Sequence, residues 1–219
     1  MSKHKISNDR GPQEPCGWLF VVSSPSGGGK TTLAEATIVR VPGVTRSVTS
    51  TTRPPRPGEQ EGRDYHFLSA AEFEAQRAQG EFLEWATVHG NRYATSRQGV
   101  ARLRDQGLDV LLVIDCQGAA SLRKQGVAAS YIFILPPSLE ELARRLRRRN
   151  SEDEATLRRR LAIAREEMAH YPLYDYVIVN DELGSATAQL QAIIIAERCR
   201  VGRLRRDRPV FAQLEGEGA

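Results

Sequence analysis

The segment Ser23-Ser24-Pro25-Ser26-Gly27-Gly28-Gly29-Lys30-Thr31-Thr32 decides the fold. It follows the apolar run Trp18-Leu19-Phe20-Val21-Val22 and leads into a helix-compatible stretch starting at Leu33. A strand, a glycine-rich turn and a helix opening on Lys-Thr together make a phosphate cradle. Backbone N–H groups and the positive helix end hold the anion, Lys30 reaches the outer phosphates, and the Thr31 hydroxyl suits Mg2+. Ser24, Pro25, Ser26, Gly27, Gly28, Gly29, Lys30, Thr31 and Thr32 are therefore candidate contacts to a nucleoside triphosphate. Ser24 stands where the pattern G-x-x-x-x-G-K-[ST] has its first Gly. An ordinary glycine-rich turn is the alternative, and the upstream strand with the intact Gly-Lys-Thr argues against it.

A chain of 219 residues suits one α/β domain with insertions and can bury a proper core. No apolar run approaches the roughly 20 residues of a membrane span, so no membrane partner is expected. The stretch 1–15 is polar, lacks the apolar region of a secretory signal, and reads as a disordered leader. Cys16, Cys116 and Cys199 are odd in number and widely spaced, matching neither a zinc nor a redox motif, so a reducing cytoplasm is expected. The formal net charge of +4 suits a polyanionic ligand, nucleotide or nucleic acid. Arginine dominates the basic residues, a bias that genomic base composition can explain, and Lys30 is the only lysine near a recognisable site.

Downstream, helix and strand patterns alternate. A helix is expected over about 30–40, ended by Pro42-Gly43, then a strand over Val44–Ser50. Three prolines in Thr51-Thr52-Arg53-Pro54-Pro55-Arg56-Pro57-Gly58-Glu59 forbid regular structure there. Ser69 with Glu72 is a capping box, and two short strands flank His89-Gly90-Asn91. The runs 109–115, 131–135 and 176–180 are continuous apolar strands of the kind buried in a parallel sheet. The expected fold class is α/β, a doubly wound parallel core sheet with ligands at its C-terminal strand ends. The block 44–95 interrupts the alternation and reads as a small β-rich insertion for a second substrate. The expected domain spans 16–205, with core segments 16–43, 96–135 and 171–201, and 206–219 forms a flexible tail.

Six elements occur in order: Ser-Pro-Ser-Gly-Gly-Gly-Lys-Thr, Thr-Thr-Arg-Pro-Pro-Arg-Pro-Gly-Glu, Gly62-Arg63-Asp64-Tyr65-His66-Phe67, Glu81-Phe82-Leu83-Glu84-Trp85-Ala86, Ile114-Asp115-Cys116-Gln117-Gly118 and Tyr176-Val177-Ile178-Val179-Asn180-Asp181. Together they closely resemble guanylate kinases over about residues 16–200. The resemblance implies a P-loop fold of core, nucleotide-monophosphate-binding region and lid (138–170), and Mg2+-dependent phosphoryl transfer from ATP to GMP.

Each element also has its own chemistry. Arg53 and Arg56 on a proline-stiffened loop make a fork suited to phosphate, although solvent exposure alone would account for two such arginines. In the resembled family the matching arginines hold the GMP phosphate, joined by tyrosines that correspond to Tyr65 and Tyr93. Glu84 interrupts a segment otherwise made for burial, so it either faces solvent or receives a ligand. Guanine offers N1–H and the exocyclic N2 amine side by side, a donor pair that fits one carboxylate and that adenine lacks. The resemblance puts Glu84 on guanine, with Thr49 and Thr95 as hydroxyl partners. Ala94 stands where the family pattern has Tyr-Gly-[ST], and Val113 replaces a commonly acidic position two before Asp115, which leaves Asp115 as the acid at that site. Asp115 ends a buried strand, where an acid orients Mg2+; its alternative is a helix N-cap.

Arg144-Arg145-Leu146-Arg147-Arg148-Arg149 and Arg158-Arg159-Arg160 form the strongest charge feature. They read as a solvated helix pair, as a nucleic-acid surface without any recognised motif, or as lid arginines closing on a transferring phosphoryl. By resemblance Arg145, Arg149 and Arg160 are the lid positions, and Asn180 is the adenine-side contact. The expected partners are ATP and GMP rather than nucleic acid, and a homo-oligomer is compatible with the chain. The rival functions are a related P-loop kinase acting on another phosphorylated small molecule, and a non-catalytic interaction module of the same fold.

Overall fold

The computed structural model of the chain describes residues 17–88, 90–149 and 154–203, apart from the Arg149 side chain. The expected leader 1–15 and tail 206–219 lie outside the described residues. Strand β1 (Leu19–Ser23) leads into the glycine-rich turn and helix α1 (Lys30–Arg40). There follow β2 (Val44–Arg46), β3 (Thr49–Thr51), β4 (Tyr65–Phe67), α2 (Ala70–Ala78), β5 (Phe82–Val88) and β6 (Asn91–Ser96). The chain continues through α3 (Arg97–Asp105), β7 (Asp109–Val113), α4 (Cys116–Lys124), β8 (Ser130–Leu135), α5 (Leu139–Arg149), α6 (Glu154–Met168), β9 (Tyr176–Val179) and α7 (Leu183–Arg198).

Two sheets organise these elements. The larger is parallel, in the order β2-β7-β1-β8-β9. Successive residues of its central strand face opposite layers, as period-two side chains must. Phe20 and Val22 pack with Leu33, Leu190 and Ile194 from α1 and α7. Leu19 and Val21 pack with Val100, Ala119 and Leu122 from α3 and α4. Both faces are covered over β1, β7 and β8, which carry the continuous apolar runs read from the sequence. Strand β9 is the edge strand and only Ile178 of its apolar run is buried, Val177 and Val179 being exposed, so 176–180 is not the fully buried strand expected.

The second sheet has the order β4-β3-β6-β5. The single strand expected over 44–50 is in fact two strands in different sheets: β2 pairs with β7, while β3 pairs with β4 and β6. Ser47 and Val48 form the crossing, and Val44–Arg46 belongs to the core sheet rather than to the inserted one. One face of the small sheet carries α2, whose Phe73 is buried against Phe82 and Ala94. Ser69 and Glu72 cap that helix reciprocally, as their spacing predicts.

The register of β5 contains one extra residue. Phe82 pairs with Ser96 but Glu84 pairs with Thr95, so Leu83 is a bulge. Without it Phe82 and Glu84 would share a face. With it Phe82 turns to α2, Leu83 enters the core with Leu19 and Val110, and Glu84 turns to the opposite face.

Helices α5 and α6 pack on each other through Leu142, Leu146, Leu157 and Ala164. They seat on the glycine-rich turn: a β-carbon on Gly27 would lie 2.8 Å from Leu146 Cδ2 and 3.1 Å from Leu142 Cδ1. Gly27 also has φ of 87°, so conformation and close approach both demand glycine there. Among the described residues no helix is long and apolar enough to cross a membrane.

Candidate active site

The turn between β1 and α1 is closed by its own backbone. Gly28 N–H donates to the Pro25 carbonyl at 2.9 Å, and the buried Ser24 hydroxyl donates to the same oxygen at 2.9 Å. Serine at the first position is thereby satisfied inside the turn, and its side chain packs against Gly28, where a β-carbon would come within 2.9 Å. Gly29, with φ of 92°, precedes α1 without a side-chain cap, so the first amides of that helix point toward whatever the turn holds. Lys30 opens the helix, and Thr31 and Thr32 are exposed in its first turn.

Asn180 reaches this turn from the end of β9. Its amide donates to the Gly28 carbonyl at 3.0 Å and lies against Gly29. The contact this side chain makes is therefore with the loop itself. The Asn180 backbone carbonyl accepts from Arg145 Nη2 at 2.9 Å, while Arg145 Nε is paired with Glu141. Arg160 Nη2 donates to Ser26 Oγ at 3.0 Å. Two of the three expected lid arginines are thus beside the loop; the Arg149 side chain lies outside the described residues.

The small sheet presents the second cluster. Opposite residues of paired strands share a face. Glu84 faces Thr95, Thr95 faces Thr49, and Thr49 faces Tyr65, while Tyr93 lies two residues from Thr95. All five expected monophosphate-side residues of this sheet therefore share one face. Ala94 alternates to the other face, into the Phe73 and Phe82 cluster, so that departure from the family pattern does not reach the site. Val113 packs against the core on the α1 side.

Arg53 stacks over Tyr65 at 5.2 Å from the ring centroid, and Tyr65 meets Tyr93 edge-on at 6.3 Å. Arg53 Nη2 is held by both carboxylate oxygens of Glu59, at 2.8 and 2.9 Å. Arg56 is exposed, and its backbone amide donates to Glu59 at 2.8 Å. The expected arginine fork is organised by Glu59, a residue of the same motif to which sequence reasoning gave no role.

Glu84 is 4% exposed. Thr95 donates to its Oε1 at 2.6 Å. Burial raises its carboxyl to about 7, against the lowering effect of the Thr95 bond and with a further raise from Asp115. Asp115 is N-cap of α4 and accepts from Gly118 N–H at 2.9 Å. Its own carboxyl is raised by burial, partly offset by that bond and by the charge of Lys30. The N-cap reading of Asp115 is thus correct as geometry, and it leaves the carboxyl electrostatically linked to Lys30 on one side and Glu84 on the other. Gly118 joins the two acids: a β-carbon there would lie 2.4 Å from Glu84 Oε2 and 3.3 Å from Asp115 Oδ1.

Glu167 is the other group that sequence reasoning missed. From α6 its Oε2 accepts the Ser26 N–H at 3.2 Å. No spacing signal marks it, since it sits in an ordinary charged helix.

The arrangement can hold a polyphosphate at the turn and a hydrogen-bond donor pair at Glu84, with arginines and tyrosines between. Comparison with known proteins identifies the family. The family model described as guanylate kinase matches residues 17–197. A guanylate kinase of Alkalilimnicola ehrlichii is 50% identical over 197 residues, covering 90% of this chain and 96% of that protein. One from Syntrophotalea carbinolica is 48% identical, covering 86% and 90%. The crystal structure of guanylate kinase from Anaplasma phagocytophilum, 36% identical, superposes with a TM-score of 0.70 over 89% of this chain and 93% of that one. The fold, the loop and these matches over nearly the whole chain have one consequence: the chain belongs to the guanylate kinase family.

Proposed function

We propose that the protein transfers the γ-phosphoryl group of ATP to GMP, giving ADP and GDP. The observation that carries this reading is Glu84, a buried carboxylate on the shared face with Thr49, Tyr65, Tyr93 and Thr95. A buried carboxylate needs partners, and guanine N1–H with its N2 amine supplies two donors in the right arrangement.

In this reading the free amides at the start of α1, with Lys30, hold the ATP phosphates. Arg53, Arg56, Tyr65 and Tyr93 hold the GMP phosphate; Thr49, Glu84, Thr95 and Asp115 hold its base. The donor set also fits Mg2+. Thr31 offers a hydroxyl and Asp115 a carboxylate, and Mg2+ bound with nucleotide phosphates takes only one or two protein oxygens. Thr31 and Asp115 would hold the ion, which would supply positive charge against the charge of the nucleotide phosphates.

An oxygen of the GMP phosphate attacks the γ-phosphorus. The new P–O bond forms as the bond to the ADP oxygen breaks, and the displaced electron pair stays on ADP. The attacking oxygen is already anionic, so no protein base is required. Positioning and charge stabilisation do the work. Helices α5 and α6 act as the lid, with Arg145 and Arg160 serving the transferring group, and Arg149 is assigned the same role by its position in the sequence. The side chain of Asn180 braces the ATP loop through Gly28.

A coupled ADP-release assay with GMP, AMP, CMP and UMP as acceptors tests the reading. Turnover with GMP at least about 10³-fold above the other three is expected from hydrogen-bond discrimination. Comparable turnover with AMP would remove the role given to Glu84.

A further inference from the structure

Helix α6 touches the phosphate loop at one residue through two different groups. Arg160 Nη2 donates to the Ser26 hydroxyl at 3.0 Å, and the Ser26 amide donates to Glu167 Oε2 at 3.2 Å. The two side chains are seven residues apart, two helical turns, so they leave the same face of α6 about 10 Å apart along its axis. Leu157 and Ala164 are buried on the same side against α5. A single contact would let α6 slide or roll on the loop. Two contacts so spaced, converging on one residue, fix its rotation and its axial position together.

A carboxylate directed at the amide of an anion-binding loop opposes the charge that loop exists to hold. With its Oε2 on the Ser26 amide, Glu167 engages that donor directly.

We propose that Glu167 is a positioning residue for phosphoryl transfer: by accepting the Ser26 amide it seats α6 on the loop and so sets Arg160 toward the γ-phosphoryl. This rests on the reading of α6 as lid. Glu167 touches neither nucleotide in this scheme. Its contribution passes through the Ser26 backbone on one side and Arg160 on the other. The seat depends on an acceptor oxygen and not on the charge, so the amide of glutamine can replace it.

The full chain carrying E167A or E167Q tests this in steady-state ATP-to-GMP transfer. E167A is expected to lower kcat about tenfold to hundredfold, the range for a lost charge-assisted bond, with KM for GMP unchanged. E167Q, which keeps a carbonyl oxygen for the Ser26 amide, is expected to recover kcat to within about threefold of wild type. An unchanged kcat in E167A, or a lowered KM for ATP without loss of kcat, overturns the proposal; so does E167Q as poor as E167A. Amide hydrogen exchange supplies a readout independent of activity. Exchange across 24–30 should quicken in E167A about tenfold or more, with β1 unchanged as evidence that the core is folded, and should stay near wild type in E167Q. Unchanged loop exchange in E167A overturns the tether whatever the acceptor. Wild-type protein that makes no GDP would instead reject the proposed reaction and leave the exchange result to judge Glu167.

Discussion

Glu84 Oε2 lies directly over Gly118, close enough that a β-carbon on that glycine would sit 2.4 Å from the oxygen. The absence of a side chain at Gly118, on the first turn of α4, is what lets the carboxylate occupy its place beside Asp115. Gly118 also supplies the amide that Asp115 caps. One glycine therefore sets both acids of the proposed base site.

Replacing Gly118 by Ala should displace the Glu84 carboxylate without unfolding the protein. Alanine inside a helix is favoured over glycine by up to about 1 kcal/mol, and the atom in conflict is the end of a side chain. KM for GMP should rise about tenfold or more, from the loss of one charged hydrogen-bond set, while KM for ATP and the melting temperature hold. Equal losses for both nucleotides would mean that Gly118 serves the fold rather than guanine.

How much of this was legible before the structure depends on whether a residue acts locally. The loop was legible because strand, glycines and Gly-Lys-Thr are consecutive. Glu84 was legible because a carboxylate inside an apolar run needs a reason. Its direction was not, since the bulge at Leu83 breaks the alternation that a reader would apply. Nor was the division of 44–50 between two sheets, because β-branched residues mark a strand but not its partner. Glu59, Gly118 and Glu167 act across turns or between helices, and their local sequence is unexceptional.

Asn180 is 6% exposed and donates to the Gly28 carbonyl. Asn180→Ala should leave that carbonyl without this donor and loosen the loop. KM for ATP should rise about tenfold and stability fall by about 1–3 kcal/mol, with KM for GMP unaffected. Thermal melting with and without ATP separates the two effects. If ATP protects the variant as well as wild type, Asn180 does not brace the loop.

Both Glu59 carboxylate oxygens accept from Arg53 Nη2, and Glu59 also accepts the Arg56 amide, closing the proline-rich turn from both ends. Glu59→Ala should therefore raise KM for GMP about tenfold, since the arginine held by this charge-assisted contact loses its geometry along with its partner. Glu59→Gln, which keeps one acceptor, should fall between. A lower KM in Glu59→Ala would instead mark Glu59 as a competitor for Arg53.

The buried Glu84 carboxyl carries the pH dependence. Raised from 4.5 to about 7 by burial, it holds a proton in the folded chain that it has lost in the unfolded one over that interval. Its contribution to stability is therefore full below 4.5 and disappears as pH rises through 7. Glu84→Gln should match wild type in melting temperature near pH 5 and exceed it near pH 8. Binding runs the other way. Only the carboxylate accepts both guanine donors, so KM for GMP should climb about tenfold per unit as pH falls below 7. The GMP phosphate titrates near pH 6 and adds its own slope, which Glu84→Gln isolates: the variant should bind GMP weakly and keep only the phosphate component. A wild-type profile no steeper than that of Glu84→Gln would mean that Glu84 enters the site already ionised.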